Sequence, residues 1–403
     1  MNPDWSRAAQ QSVERCRVLA NYTEEPGWTT RTYLSEPMHE VHRSLTEWLA
    51  PSGCEVHVDA AGNFRAVRLG AGDAPRLVIG SHLDTVIHAG AFDGILGVVI
   101  GVALLESLGT QELPFAIELI GFSEEEGVRF GVPFLGSRAV TGDLDDRAIA
   151  LMSGPIRDFG LNAADLPLAR LRPPIAGYLE FHIEQGPVLE QLGLPLGIVD
   201  AIAGQSRLEV RFEGSAAHAG TTPPRLRKDP LAGAAEWMVE VEREMQETPG
   251  LVATVGRIHA EPGAPNVIPS VATLSLDVRH ATDSIRHGAA RRLADAAERI
   301  AGRRCLRVHM ETRSDLPATP MDSGFVALLE DAVRAAGFPV HRMASGAGHD
   351  AMILAKHFPT AMLFVPSPGG LSHCPEESVR EEDVAAGLAT GAEFLRLLER
   401  RYA

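Results

Sequence analysis

The stretch RLVIGSHLDTVIHAGAFDGILGVVIGVALLESLG, residues 76–109, sets the architecture. It opens on a short apolar run, RLVIG, which reads as a buried strand stopped by Gly80. It closes on residues 94–108, apolar on every side, which read as a core helix. A membrane span would need roughly 18 or more apolar residues, and no run in the chain approaches that. Between strand and helix lies a loop that carries His82, Asp84 and Asp93.

Working outward, PFAIELIGFS (114–123), GYLEFHIEQ (177–185) and TAMLFVPS (360–367) repeat the apolar strand signature, and residues 55–69 hold further strand-like stretches. Residues 5–20 and 36–50 read as helices. Strands alternating with helices predict an α/β layered domain with a mostly parallel sheet. The middle of the chain changes period. SRLEVRFEG (206–214) and SVATLSLDVRH (270–280) alternate apolar and polar, and RCLRVHMETR (304–313) reads as a further strand. LAGAAEWMVEVEREMQ (231–246) and DSIRHGAARRLADAAERIAG (283–302) read as amphipathic helices. These elements predict an inserted α+β unit with an antiparallel sheet and two helices over 206–318. The flanking segments 1–205 and 319–403 form one domain, because His373 must return to the first sheet. Residues 151–175 show the weakest pattern.

Composition narrows the function. The 403 residues are 45% hydrophobic, enough for a core, and carry a net charge of −16. That charge argues against nucleic acid or an anionic membrane as partner. Cys16, Cys54, Cys305 and Cys374 are scattered without a CxxC pair, as in a reduced cytoplasmic protein. The first twenty residues are polar and amphipathic, unlike a signal peptide.

Five segments place metal-ligating side chains where predicted strands end: GSHLDTV (80–86), GAFDGILGV (90–98), SEEEGVRF (123–130), HIEQGPVLE (182–190) and GGLSHCPEE (369–377). They offer His82, Asp93, Glu125, Glu126, His182 and His373. In open α/β sheets, sites form outside the carboxyl ends of the strands, so these residues converge on one rim. A run of Glu alone is ordinarily a solvated turn, and a lone strand His is ordinarily a core residue. The conjunction points to metal, and the number of donors suits two ions sharing a carboxylate. Asp84, two residues after His82, is placed to accept the proton of the second ring nitrogen of His82. Within Glu124–Glu126, spacing alone does not separate ligand from base.

These motifs, with AHAGTTPP, NVIPS, DVRH and SGAGHDAM in the same order, resemble the hydantoinase/carbamoylase amidases of the co-catalytic zinc peptidase clan. That group includes N-carbamoyl-L-amino acid hydrolases, β-ureidopropionases and allantoate amidohydrolases. The resemblance implies two divalent ions, zinc first, with manganese, cobalt or nickel suited to the same donors. His82 and His182 would be terminal ligands, Asp93 the bridge, and Glu126 and His373 the remaining pair. Glu125 would be the general base and His218 the oxyanion donor. Arg279 would clamp a substrate carboxylate with Asn266 nearby, and Gln185 and His349 would lie on the substrate side. The implied reaction is hydrolysis of a small ureido acid, an N-carbamoyl amino acid or allantoate, by a homodimer joined through the inserted lid domain. His182 stands where related exopeptidases generally carry an acidic residue, which favours an amidohydrolase over an aminoacylase or dipeptidase. A silent metal-binding protein would not need the full ligand set and base. Pro224 departs from the family's usual Met after TTP.

Overall fold

The computed structural model describes residues 4–71 and 75–402. The chain divides into two compact units. One comprises the residues up to Asp200, Met321–Met343 and those from Ala347 onward; the other is Ala201–Pro320 with Ala344–Gly346. The expected boundaries lay at 205/206 and 318/319, inside the strand Gly204–Glu213 and within the turn after Arg307–Leu316.

In the first unit the strands run, in spatial order, Glu55–Val58, Phe64–Arg68, Ile117–Phe122, Arg76–His82, Ile175–Ile183, Thr360–Val365 and Gly197–Ile202. The four central strands, 117–122, 76–82, 175–183 and 360–365, are mutually parallel, and the outer ones pair antiparallel. All four parallel strands are buried almost throughout, as their mostly apolar sequences require, with Glu118 and Glu180 as buried charged exceptions. Gly80 does not end its strand, which continues to His82. A Cβ at residue 80 would lie 2.6 Å from the Ile120 carbonyl oxygen and 3.0 Å from the Phe122 ring, so this glycine admits a neighbouring strand.

The helix Ile95–Ser107 is buried along almost its whole length. It packs on the strands 76–82 and 175–183 and is covered by the helices Trp5–Ala20 and Glu381–Tyr402. Gly97 brings its backbone onto the sheet: a methyl group there would collide with the Phe181 carbonyl oxygen and lie 2.7 Å from Ser81 Cβ. The weakly patterned region holds the helix Asp146–Asp158, capped by Asp145 through the Ala148 N–H, and the 3-10 turn Ala163–Ala169. No helix among the described residues is long and apolar enough to cross a membrane.

The second unit is a four-stranded antiparallel sheet in the order Arg307–Leu316, Gly204–Glu213, Val271–His280 and Val252–Glu261. Its helices are Pro230–Glu247 and Asp283–Arg303, the first capped by Asp229 with Pro230 at its start. Ala272, Leu274, Leu276 and Val278 alternate into a core with Phe212, Trp237, Leu293 and Ile300. The Trp237 Nε1–H donates to the Leu293 carbonyl at 2.9 Å and ties the two helices together. The strand 252–261 has no counterpart in the sequence reading, because most of its side chains are exposed and its apolar alternation is weak.

Gly97→Ala is expected to lower unfolding free energy by about 1–3 kcal/mol through overpacking. Urea denaturation measures this, and an unchanged midpoint would contradict the close helix–sheet approach.

Candidate metal centre

His82 is the last residue of its strand and His182 the last but one of Ile175–Ile183, so the parallel arrangement delivers both rings to one rim. The rings face each other with 3.4 Å between their Nε2 atoms. Each Nδ1–H donates to a backbone carbonyl at 2.9 Å, that of Asp84 for His82 and that of Ile183 for His182. A carbonyl only accepts, so the proton sits on Nδ1 and the Nε2 lone pairs point into the site. Asp84 therefore orients His82 through its main chain, and its nearest carboxylate oxygen stays 3.9 Å from Nδ1. The carboxylate is occupied elsewhere: its two oxygens accept the N–H groups of Glu125 and Glu126, each at 3.1 Å.

Asp93 lies at the meeting point. Its Oδ1 is 3.3 Å from His182 Nε2 and 3.8 Å from His82 Nε2, while its Oδ2 is 3.1 Å from His373 Nε2. Glu126 Oε1 is 3.6 Å from that same His373 nitrogen. Two donor groups result, His82–Asp93–His182 and Asp93–Glu126–His373, each able to hold one ion, with Asp93 common to both. Glu125 belongs to a third grouping with His82 and Glu126. The first group is buried, whereas the His373 side chain is half-exposed, so the site opens on that side.

The electrostatics fit a cation. Burial, followed by repulsion from Glu126 and Asp350, raises Glu125 well above the usual carboxylate range. Burial also lifts Glu126 to about 7. Burial disfavours a charged His82, but Asp84, Glu126 and Asp93 outweigh it and bring its pKa to about 9, as expected of a ring set among carboxylates. Burial drops His182 to about 4 and leaves its ring a neutral donor. A cation held between these groups would offset the burial penalty and the repulsion that together raise the two glutamates.

Gln185 sits closer to the donors than the sequence suggests. With φ at 58°, its Nε2 donates to both Asp93 oxygens, at 3.1 and 2.9 Å. His349 is buried edge-on to His182, with ring centroids 4.5 Å apart, and forms a further donor group with Glu180 and His182. Glu124 also has positive φ, so strand parity ends there; its carboxylate accepts the Arg129 and Phe130 N–H groups and stays out of the donor set. Glu184 caps the next helix through Val188 and Leu189.

The remaining candidates belong to the second unit. His218 lies in a two-residue ladder opposite Val267, beside Asn266, whose carbonyl accepts the Ala219 N–H at 3.0 Å. The Gly220 N–H donates to His218 Nδ1 at 3.0 Å. Nδ1 is thus the acceptor and the ring's proton is on Nε2, the arrangement an outward-facing donor needs. Arg227 holds this loop by donating to the Thr222 and Ala219 carbonyls at 2.9 and 2.6 Å. The turn beyond Pro224 is a short 3-10 segment, Pro224–Leu226. Arg279 stands on the sheet, its guanidinium paired with Asp277.

The sequence model of peptidase family M20/M25/M40 matches residues 78–397. The chain belongs to that family. It is 36% identical over 423 aligned positions to allantoate deiminase 1 of Glycine max, covering 94% of this chain and 88% of the relative. It is 35% identical over 386 positions to an N-carbamoyl-L-amino acid amidohydrolase of Geobacillus stearothermophilus, covering 93% and 94%. Among solved structures, a hydantoinase/carbamoylase family amidase from Burkholderia multivorans superposes with a TM-score of 0.89 at 31% identity, covering 96% of this chain and 97% of that one.

One residue of this M20-family chain escaped the sequence reading. Glu377 accepts the N–H groups of Phe92 and Asp93 at 2.8 and 3.0 Å, and Ser372 bridges it to Asp93. Glu377 thereby fixes the backbone beneath the shared carboxylate. Its sole sequence signal is its place in the motif that supplies His373. The same loop depends on Gly94, where φ is 71° and a Cβ would run into the His82 ring.

Glu377→Ala is expected to weaken divalent-metal affinity by about 10–100-fold, the usual effect of losing a partner that orients a ligand. Metal titration of the stripped protein measures it, and wild-type affinity would show that the Asp93 loop holds itself.

Proposed function

We propose that the protein is a metal-dependent amidohydrolase that cleaves the ureido C–N bond of a small ureido acid. Its substrate is an N-carbamoyl amino acid or a related compound such as allantoate, and its products are ammonia, carbon dioxide and the freed amine. The observation that carries this reading is Asp93, whose two oxygens face two separate donor groups while Glu125 stands beside them. His182 as a neutral imidazole donor supports the amidohydrolase branch, and relatives named for allantoate and for N-carbamoyl-L-amino acids support the substrate class.

In this reading two divalent ions are held, one by His82, His182 and Asp93, the other by Asp93, Glu126 and His373. Zinc is the first choice; manganese, cobalt and nickel suit the same ligands. Such ions polarise a carbonyl and acidify water toward neutral pH. Glu125 takes the proton of the attacking water and delivers it to the departing nitrogen. Its buried carboxyl, raised well above the ordinary value by burial and by Glu126, suits a group that must carry a proton between two positions. His218 Nε2–H donates to the oxyanion that forms on the carbonyl. Arg279 takes the substrate carboxylate with Asn266 assisting, and Gln185 and His349 contact the substrate from the metal side. The second unit serves as lid and as the dimer contact. A cytoplasmic location accords with four free cysteines.

Glu125→Gln is expected to lower turnover by about 10²–10⁴-fold with metal content unchanged. Ammonia release and metal analysis on the same sample test it, and retained turnover would remove Glu125 as base. His218→Ala is expected to cost about 10²–10³ in kcat. A panel of N-carbamoyl-α-amino acids, N-carbamoyl-β-alanine, allantoate and dipeptides, run with metal-reconstituted protein, ranks the substrates. Preference for dipeptides would overturn the proposal.

A further inference from the structure

Four polar side chains form a square on the open face of the second unit's sheet. Gln205 and Arg207 stand on one strand, Asp277 and Arg279 on its antiparallel neighbour. The register sets Gln205 opposite Arg279 and Arg207 opposite Asp277. Asp277 is the hub. Its Oδ1 accepts Arg279 Nε–H at 2.9 Å. Its Oδ2 accepts from Arg279 Nη2 at 3.1 Å, Arg207 Nε at 3.2 Å and Gln205 Nε2 at 2.8 Å. On its other side, Arg279 Nη1 donates to the Gly346 carbonyl at 2.7 Å. Asp277, Arg207, Arg279 and Gly346 line a cavity of about 750 Å³.

A guanidinium carries five N–H donors in one plane. Three of those on Arg279 are engaged by Asp277 and Gly346, which leaves one N–H on each terminal nitrogen. Two such donors match the bidentate requirement of a carboxylate. Left unheld, an Arg on an open sheet face would sample many rotamers. Two guanidinium groups share the single Asp277 carboxylate, so the square keeps a net positive charge for an incoming anion.

We propose that Asp277 is the positioning residue that aims Arg279 at the substrate carboxylate and thereby sets the preference for acids. This rests on the reading of Arg279 as the carboxylate clamp. Asp277 itself does not touch substrate, since both its oxygens are committed to the square.

The test uses the full-length, metal-reconstituted enzyme. With Asp277→Asn, KM for the best ureido acid should rise about tenfold or more while kcat moves by less than about threefold, as expected when a charge-assisted bond serving binding is lost. The carboxamide analogue of that substrate should show the same kcat/KM in wild type and variant. Asp277→Glu, which keeps the charge but displaces the fork, should give the same split and decides the matter should the Asn variant fold poorly. An unchanged KM, or a fall in kcat alone, overturns the positioning role. Arg279→Ala separates the two claims. If it raises KM for the acid and Asp277→Asn does not, the inference about Asp277 fails alone. If Arg279→Ala leaves KM unchanged, the clamp reading fails and the inference falls with it.

Discussion

Like charge buried at one rim is the constraint around which this protein is built. Asp84, Asp93 and Glu125 are buried, with Glu126 close to it, and Glu180, Asp350 and Glu377 lie fully within the same region. Unscreened carboxylates at such separations are unfavourable in a low-dielectric interior, and burial together with their mutual repulsion raises both Glu125 and Glu126 above the usual carboxylate range. The arrangement makes physical sense as one half of an ionic assembly whose other half is positive. Its geometry agrees: the two oxygens of Asp93 face different imidazoles, while the Gln185 amide reaches both.

Holding such a set against its own repulsion falls to the backbone, and the chain uses one device twice. Asp84 follows one ligand and grips the N–H groups of the next pair, Glu125 and Glu126. Glu377 follows His373 and grips the N–H groups of Phe92 and Asp93. Each of these two loops therefore contributes a ligand and also fixes a loop that contributes another, so segments far apart in sequence are cross-braced by charge-assisted hydrogen bonds. The positive φ values at Glu124 and His373 fall in these loops, beside the braces that fix the backbone. Beneath them, the helix 95–107, apolar up to Glu106, gives the loops a floor, because Gly97 lets it lie against both ligand-bearing strands.

What was legible in the sequence follows from what repeats locally. The parallel core announced itself because fully buried strands read as mostly apolar runs, and the ligands because they stand at the ends of those runs. The inserted unit was legible through the period-two pattern of residues 206–214 and 270–280. The exposed strand 252–261 was not: it buries few of its side chains and leaves little trace. The helices Ser323–Ala335 and Glu381–Tyr402 and the buried outer strand Gly197–Ile202 have no counterpart in the sequence reading either, and exposure does not account for them. At the site, the division between ligand and brace was hidden. Asp84 looked like the carboxylate partner of His82, yet its main chain takes that role because its side chain is drawn to two backbone N–H groups. No periodicity encodes such a choice; it depends on loops that meet only in the folded chain.

The second unit shows how a functional surface can follow from packing alone. Burying Ala272, Leu274, Leu276 and Val278 against two helices commits every alternate residue of that strand to the opposite face. Residues 277 and 279, two apart, must then share that face, as must 205 and 207 on the neighbouring strand. The sequence DVR is enough to place an acid beside an arginine on an open sheet, and antiparallel register brings a second cation against the same acid. Such a patch costs the core nothing, because its members occupy positions the pleat had already turned away from it. Its charge can therefore be tuned toward one class of anion without disturbing the packing underneath, whereas a change at the metal rim must contend with the braces that hold the Asp93 and Glu126 backbone.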